Sequence, residues 1–104
     1  MAARYGGEEF TIVLPYSDHQ TLRAMGERVR TLIEAHPFSI PGSADKLRVT
    51  ASLGGATFPT DVDTTAKLIE TADRMMYQVK KRGGNCLVTC DSETNTALPM
   101  AGKC

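Results

Sequence analysis

Apolar residues recur at helical spacing in the first half of the chain. Beginning after Asp18, they lie three or four positions apart at Leu22, Met25, Val29 and Ile33. This spacing places one apolar stripe on a helix, and an aspartate directly before such a stripe is a favourable N-cap. The pattern predicts a helix that ends near residues 36–37, because the residue before a proline disfavours helical backbone angles.

A second helix is predicted from about Thr64, with a broader apolar face. Gly83 and Gly84 follow its last apolar residue and are typical of a helix end. The residues that form the apolar face are Leu68, Ile69, Ala72, Met75, Met76 and Val79.

Three further segments are predicted to be strands. Residues 11–14 form a β-branched apolar run closed by a proline, residues 47–53 alternate apolar and polar side chains, and residues 86–89 form a short apolar run. Gly54 and Gly55 are expected to weaken the second strand or make it bulge. The order of elements predicts α+β or α/β architecture, with one domain over residues 1–90 and a loose, aperiodic tail over residues 91–104.

Composition and charge exclude several classes of protein. With 41% hydrophobic and 23% charged residues, the chain of 104 residues has the balance of a globular domain. Its twelve basic and twelve acidic residues cancel, which disfavours binding to a nucleic acid polymer or an anionic membrane surface. No apolar run approaches the roughly 20 residues needed to span a bilayer. We therefore expect a cytoplasmic segment without direct membrane contact, whether or not its parent protein carries an anchor.

Residues 6–9 combine two features of a nucleotide site. Gly6 and Gly7 have no side chains, so their backbone can approach a phosphate, and Glu8 and Glu9 supply the hard oxygen ligands that Mg²⁺ prefers. Taken alone, the pattern also fits a solvated hairpin tip.

Three sequence blocks together resemble one known family. Residues 4–10 read Arg-Tyr-Gly-Gly-Glu-Glu-Phe and resemble the signature hairpin of the GGDEF domains of diguanylate cyclases, in the GGEEF variant. Residues 49–54 resemble a later strand of that family, and Ala72, Asp73, Tyr77, Lys80 and Asn85 resemble its closing helix and turn. The blocks occur in the family's order and correspond to roughly the C-terminal two thirds of a domain of ordinary size.

The resemblance implies a fold and a reaction. The fold would be α+β, with a mainly antiparallel central sheet flanked by helices, similar to the palm of nucleotidyl cyclases and polymerases. The reaction would condense two GTP molecules into cyclic di-GMP with release of pyrophosphate, in bacterial second-messenger signalling. A homodimer of such domains would hold one GTP in each half-site, and the cofactor would be Mg²⁺ or Mn²⁺.

The resemblance also implies roles for individual residues. Glu8 and Glu9 would be catalytic and would bind the metal, Gly6 and Gly7 would let the nucleotide approach, and Lys80 would contact the GTP phosphates. Arg28 would belong to an allosteric product site. The alternatives are that Lys80 is part of a solvated cationic helix end and that Arg28 is an ordinary exposed arginine.

One departure from the family pattern concerns phosphate binding. Gly84 stands where the family has an arginine, and Arg82, two positions earlier, is a candidate substitute. The resemblance further places the family's first strand, with its metal-binding aspartate, before residue 1, so we expect the chain alone to be inactive. The alternative is a degenerate GGDEF module that binds GTP or cyclic di-GMP, or that mediates dimerisation, without catalysis.

Overall fold

The computed structural model of the protein describes residues 2–4, 9–91 and 96–99. In this part of the chain two long helices alternate with short strands. The elements in chain order are β1 (Ala2–Arg4), β2 (Phe10–Ile12), α1 (His19–Ala35), β3 (Phe38–Ser39), β4 (Lys46–Leu47), β5 (Leu53–Gly55), α2 (Thr65–Lys81), β6 (Leu87–Asp91) and β7 (Thr96–Pro99).

The described strands form three small sheets. Strand β1 pairs with β2 and β3 pairs with β4, both antiparallel. The third sheet has the order β5-β6-β7, in which β6 pairs parallel with β5 and antiparallel with β7. The predicted α+β class with mainly antiparallel pairing and flanking helices is confirmed. None of the helices in the described ranges is long and apolar enough to cross a bilayer.

The core lies where α2 packs against the three-stranded sheet. From the helix, Met75 and Val79 are almost completely buried, and so are residues 87–90 of β6. Their neighbours in the buried cluster are Cys86, Val88 and Cys90. A strand paired on both sides, with its side chains covered, is the most protected kind of strand, so β6 is the centre of the fold.

Gly54 permits close contact between α2 and β5. A Cβ atom at this position would lie 2.2 Å from the Ala72 carbonyl oxygen and 2.2 Å from the Met76 backbone nitrogen. These are backbone atoms of α2, which cannot move aside as a side-chain end can. The sequence predicted that Gly54 weakens or bulges a strand, whereas the structure shows it inside β5, at the contact with the helix.

Both predicted helices are confirmed, as is the predicted N-terminal cap at Asp18. The side chain of Asp18 accepts a hydrogen bond from the Thr21 backbone nitrogen at 2.8 Å, and α1 ends at Ala35, before His36. At α2 the Thr64 hydroxyl accepts from the Lys67 backbone nitrogen at 3.2 Å. Each cap satisfies a backbone N–H group that has no partner within its helix.

The Asp18 cap makes part of the stability pH-dependent. The hydrogen bond from the Thr21 backbone lowers the pKa of the Asp18 carboxyl, because it favours the ionised form. A carboxyl with a lowered folded-state pKa contributes stability above its unfolded pKa and loses it as the pH falls through the folded one. We expect Asp18→Asn, which keeps a capping oxygen, to lose less stability than the unchanged chain on acidification below about pH 4.

Melting temperatures measured in steps from neutral to acidic pH would check this expectation for Asp18→Asn. Asp45→Asn, another exposed position, serves as the control and should follow the unchanged chain. Parallel melting curves for Asp18→Asn and the unchanged chain across the acidic range would contradict it.

The strand predicted over residues 47–53 is wrong as a continuous element. The structure has β4 at its beginning and β5 at its end, with residues 48–52 outside any strand. The two ends have different partners, since β4 pairs with β3 whereas β5 pairs with β6. Between them the Arg48 guanidinium donates a hydrogen bond to the Ala35 carbonyl oxygen at 2.7 Å, which holds this segment at the end of α1.

Strand β7 lies within residues 91–104, the range predicted to be a loose tail. It pairs with β6 so that Val88 lies opposite Pro99 and Asp91 lies opposite Thr96. The chain therefore adds an edge strand to the central sheet after β6. The domain boundary near residue 90 stays a prediction.

Candidate functional site

The candidate site begins at the hairpin formed by β1 and β2. Its strands are in register from Ala2 opposite Ile12 to Arg4 opposite Phe10. Gly6, Gly7 and Glu8 lie outside the described residues, so their predicted roles stay predictions. Glu9 directly precedes β2, and its side chain is 34% exposed, which leaves the carboxylate open to a ligand.

Lys80 reaches the same place from the other end of the chain. It lies in the last turn of α2, and its Nζ is 3.8 Å from Oε1 of Glu9. The Lys80 side chain is 50% exposed, so this is a solvated ion pair that contributes little to stability. Two of the predicted site residues, far apart in sequence, are thus brought together in the structure.

Three consecutive left-handed residues follow α2. Gly83 has φ +98°, Gly84 has φ +79° and Asn85 has φ +53°. The Gly84 backbone nitrogen donates to the Val79 carbonyl oxygen at 3.0 Å, and that of Gly83 donates to the Lys80 carbonyl oxygen at 3.3 Å. The turn is therefore hydrogen-bonded to the helical turn that carries Lys80.

Arg30 is a buried residue near this turn that the sequence analysis missed. Its Nη1 donates to Oδ1 of Asn85 at 3.0 Å and to Oε1 of Glu34 at 3.5 Å, while its Nε donates to Oε1 of Glu27 at 3.0 Å. Glu27 and Glu34 raise the pKa of the Arg30 guanidinium, and the largest cause is the hydrogen bond that the guanidinium donates to Glu27. Glutamates at the i−3 and i+4 positions were the available signal, because both lie on the helix face of Arg30.

Arg28 lies only two positions away from Arg30 but on a different face of α1. It is exposed, whereas Arg30 is 1% exposed. An exposed arginine is compatible both with a product site and with simple solvation, so its predicted allosteric role stays a prediction. The structure does not place it beside Glu9 or Lys80.

Of the two predicted metal ligands, Glu9 lies among the described residues. Among residues 9–91, together with the short described strands at either end, no group of three or more His, Cys, Asp and Glu side chains could hold a metal ion. Glu9 nevertheless offers a half-exposed carboxylate, which is the donor type that Mg²⁺ prefers. It fits the role of one ligand in a set that is completed by other carboxylates.

A separate concave region lies at the beginning of α2. It has a volume of about 550 Å³. None of the predicted site residues lines it, so it is not the candidate site. Its lining residues are Pro59, Thr60, Asp61, Val62, Asp63, Lys67, Glu70, Thr71 and Arg74.

Comparison with known proteins decides the family. Residues 1–86 match the family model described as the GGDEF domain of diguanylate cyclases. The chain belongs to the GGDEF domain family. The matched range contains the hairpin and the whole segment from α1 to α2, so Glu9 and Lys80 both lie within it.

Individual GGDEF relatives agree with this assignment. The chain is 34% identical to diguanylate cyclase A of Treponema denticola over 84 residues, which cover 81% of this chain and 22% of that protein. It is 33% identical to the response regulator PleD of Caulobacter vibrioides over 88 residues, covering 85% of this chain and 19% of the relative. It is 39% identical to diguanylate cyclase DosC of Escherichia coli over 83 residues, which cover 79% of this chain and 17% of that protein. The chain thus spans about a fifth of the length of these curated relatives.

The turn of this GGDEF chain disfavours a side chain at Gly84, where the resemblance expects arginine. Besides the left-handed φ, a Cβ atom here would lie 3.1 Å from Oγ of Ser52. We expect Gly84→Arg to lower the free energy of unfolding by about 1–2 kcal/mol, because a side chain in the left-handed region is strained.

Urea denaturation would measure the effect of Gly84→Arg. Gly84→Asn is the matched control, and we expect a smaller loss because asparagine tolerates the left-handed region better than other side chains. Equal stability of Gly84→Arg and the unchanged chain would show that the turn can accept an arginine.

Proposed function

We propose that the domain to which this chain belongs condenses two GTP molecules into cyclic di-GMP, with Mg²⁺ or Mn²⁺ as cofactor. The observation that carries the proposal is the approach of Lys80 to within 3.8 Å of Glu9, in a chain of the GGDEF family. A cation for phosphate oxygens and a carboxylate for a metal ion then face the same space. GTP is a cytoplasmic nucleotide, so the domain would act in the cytoplasm.

Each residue of the site has a distinct task in this proposal. Glu9 and Glu8 would hold the divalent cation, which would offset the negative charge that develops on the phosphate oxygens. Glu8 also accepts the proton of the attacking 3′-hydroxyl. Gly6 and Gly7 let the nucleotide lie against the hairpin backbone. The roles of these four residues are carried over from the family.

The reaction joins two nucleotides held by two copies of the domain. The 3′-oxygen of one GTP forms a bond to the α-phosphorus of the other, and the bond from that phosphorus to the oxygen of the β-phosphate breaks, releasing pyrophosphate. A second attack in the opposite direction closes the ring and releases the second pyrophosphate. The homodimer is needed because each half-site presents one nucleotide in line with the other.

Lys80 can change partners at low energetic cost. Without nucleotide its ammonium faces Glu9, but the pair is solvated and weak. A cation held by Glu9 would repel the Lys80 ammonium, and the GTP phosphates would offer Lys80 a more strongly charged partner. We propose that Lys80 then binds the GTP phosphates, and that the exposed Arg82 contributes the positive charge that Gly84 lacks.

A second function is favoured by one observation. Gly84, in the left-handed region, stands where the family pattern has an arginine, and the loss of that charge would weaken phosphate binding. This fits a module that binds GTP or cyclic di-GMP, or that dimerises, without catalysis. Glu9 and Lys80 favour the cyclase instead, because a domain released from catalysis has no need of both. We also propose that the 104-residue chain alone does not form cyclic di-GMP.

A chimeric enzyme would test the proposed function. The matched segment of diguanylate cyclase A from Treponema denticola is replaced by the corresponding segment of this chain, and cyclic di-GMP formation from GTP and Mg²⁺ is measured by chromatography. We expect activity from the chimera and none from the 104-residue chain. A folded, dimeric chimera that binds GTP without forming cyclic di-GMP would favour the non-catalytic module.

A further inference from the structure

The buried Arg30 is linked to the candidate site through Asn85. The carboxamide of Asn85 is held at both ends, since Arg30 donates to its Oδ1 at 3.0 Å and its Nδ2 donates to Oε2 of Glu34 at 2.5 Å. Both partners belong to α1, whereas Asn85 belongs to the turn after α2. These hydrogen bonds therefore join the second half of α1 to the C-terminal end of α2.

The arrangement of charges in this cluster suits the carboxamide of an asparagine. Glu34 accepts a hydrogen bond and Arg30 donates one, so the residue between them has to offer both an acceptor and a donor on one short group. The Nε and Nη2 groups of Arg30 donate hydrogen bonds to the Glu27 carboxylate. Its Nη1 group donates to Asn85 and Glu34. A guanidinium that is 1% exposed needs such partners, because a buried charge without them is costly.

The hydrogen bonds that hold Asn85 also hold the backbone from which the Lys80 side chain extends. Asn85 follows Gly83 and Gly84, and glycines are the residues least able to hold a turn by themselves. The backbone nitrogens of those glycines donate to the carbonyl oxygens of Val79 and Lys80. With Asn85 held to α1 and the glycines held to the last turn of α2, the turn and the helix end form one unit.

We propose that Arg30, Glu34 and Asn85 are positioning residues that hold the last turn of α2 so that Lys80 faces Glu9. They contact neither substrate nor metal, and they act through the turn at residues 83–85. The importance of this positioning for phosphate binding rests on the proposed function. The geometry of Lys80 and Glu9 is a separate matter, and it can be measured without nucleotide.

Zero-length carbodiimide cross-linking of the full chain would test the proposal. The reagent joins a lysine amine to a carboxylate only when the two groups touch, and mass spectrometry identifies the pair. Lys80 and Glu9 provide one such pair, and Lys67 and Asp63, with Nζ and Oδ1 3.1 Å apart, provide an internal standard remote from the Arg30 cluster. The ratio of the two cross-links reports the position of Lys80, because unfolding would lower the yield of both.

The decisive variant is Asn85→Gly, which removes the carboxamide and tolerates the left-handed φ of +53°. We expect the ratio of the Lys80–Glu9 to the Lys67–Asp63 cross-link to fall at least about threefold, since proximity effects depend steeply on position. Arg30→Met should give the same fall if the variant folds. Asp45→Asn, an exposed change that belongs to neither cross-linked pair, should leave the ratio unchanged.

An unchanged ratio in Asn85→Gly would overturn the proposal, as would the absence of the Lys80–Glu9 cross-link in the unchanged chain. GTP titration of the same variants separates this proposal from the proposed function. If Asn85→Gly lowers both the cross-link ratio and GTP affinity, both proposals are supported. If the ratio falls and neither the unchanged chain nor the chimera binds GTP, the positioning role stands and the proposed function fails.

Discussion

Replacing Gly54 with alanine is expected to lower the free energy of unfolding by about 3 kcal/mol or more, at the upper end of the range for overpacked cores. The added methyl group would lie 2.2 Å from two backbone atoms of α2, at Ala72 and Met76. Neither atom belongs to a flexible side chain, so the helix and β5 have to separate. That separation would also open the contact of α2 with the core strand β6.

Urea denaturation followed by circular dichroism would measure the loss in Gly54→Ala. Gly55→Ala is the matched control, because a Cβ atom there would meet the Leu22 side chain, with Cδ2 at 2.9 Å, and the flexible end of that side chain can move. We expect the loss at Gly55 to be clearly smaller, at about 1 kcal/mol. Equal losses at the two positions would show that α2 does not press on β5 at Gly54.

Replacing Glu9 with glutamine is expected to reduce cyclic di-GMP formation by the chimera at least about 100-fold, because a charged metal ligand is removed from the reacting centre. Glutamine is similar in size to glutamate, so the hairpin keeps its shape. Its neutral amide is a poor ligand for Mg²⁺ and a weaker partner for Lys80, which lies 3.8 Å from the Glu9 carboxylate. The prediction concerns the chemistry of the site and not the stability of the fold.

The initial rate of cyclic di-GMP formation at saturating GTP would measure this effect, and titration with Mn²⁺ would measure metal affinity. Glu70→Gln is the matched control, since it makes the same chemical change at an exposed position of α2. It should retain the rate of the unchanged chimera. Full activity of the Glu9→Gln chimera would show that Glu9 is not an essential metal ligand, and the proposed carboxylate role would then belong to Glu8.

The helices were predictable from the sequence because their signals are local. The cap at Asp18, the apolar stripe of α1 and the glycines after α2 all act within a few residues of the element that they define. The strands were less predictable, because pairing depends on distant partners. Residues 47–53 alternate like one strand, yet β4 and β5 pair with different neighbours and the pattern is interrupted between them.

The candidate site was predictable residue by residue, but its arrangement was not. The family resemblance indicated Glu9 and Lys80 separately, and only the tertiary structure shows that the start of β2 and the end of α2 bring them to 3.8 Å. Arg30 was missed because buried arginines are uncommon and because its partner Asn85 is distant in sequence, after the end of α2. The roles of Gly6, Gly7 and Glu8 remain predictions from the resemblance.

The left-handed turn after α2 constrains the order in which this chain can acquire substitutions. A single change to arginine at Gly84 meets a φ of +79° and the Ser52 hydroxyl, so the substitution is strained whatever its added charge contributes. A change that first reshapes the turn has to release Asn85 from Arg30 and Glu34. Positive charge is therefore more easily accommodated beside the turn, where Arg82 is exposed, than at Gly84 itself.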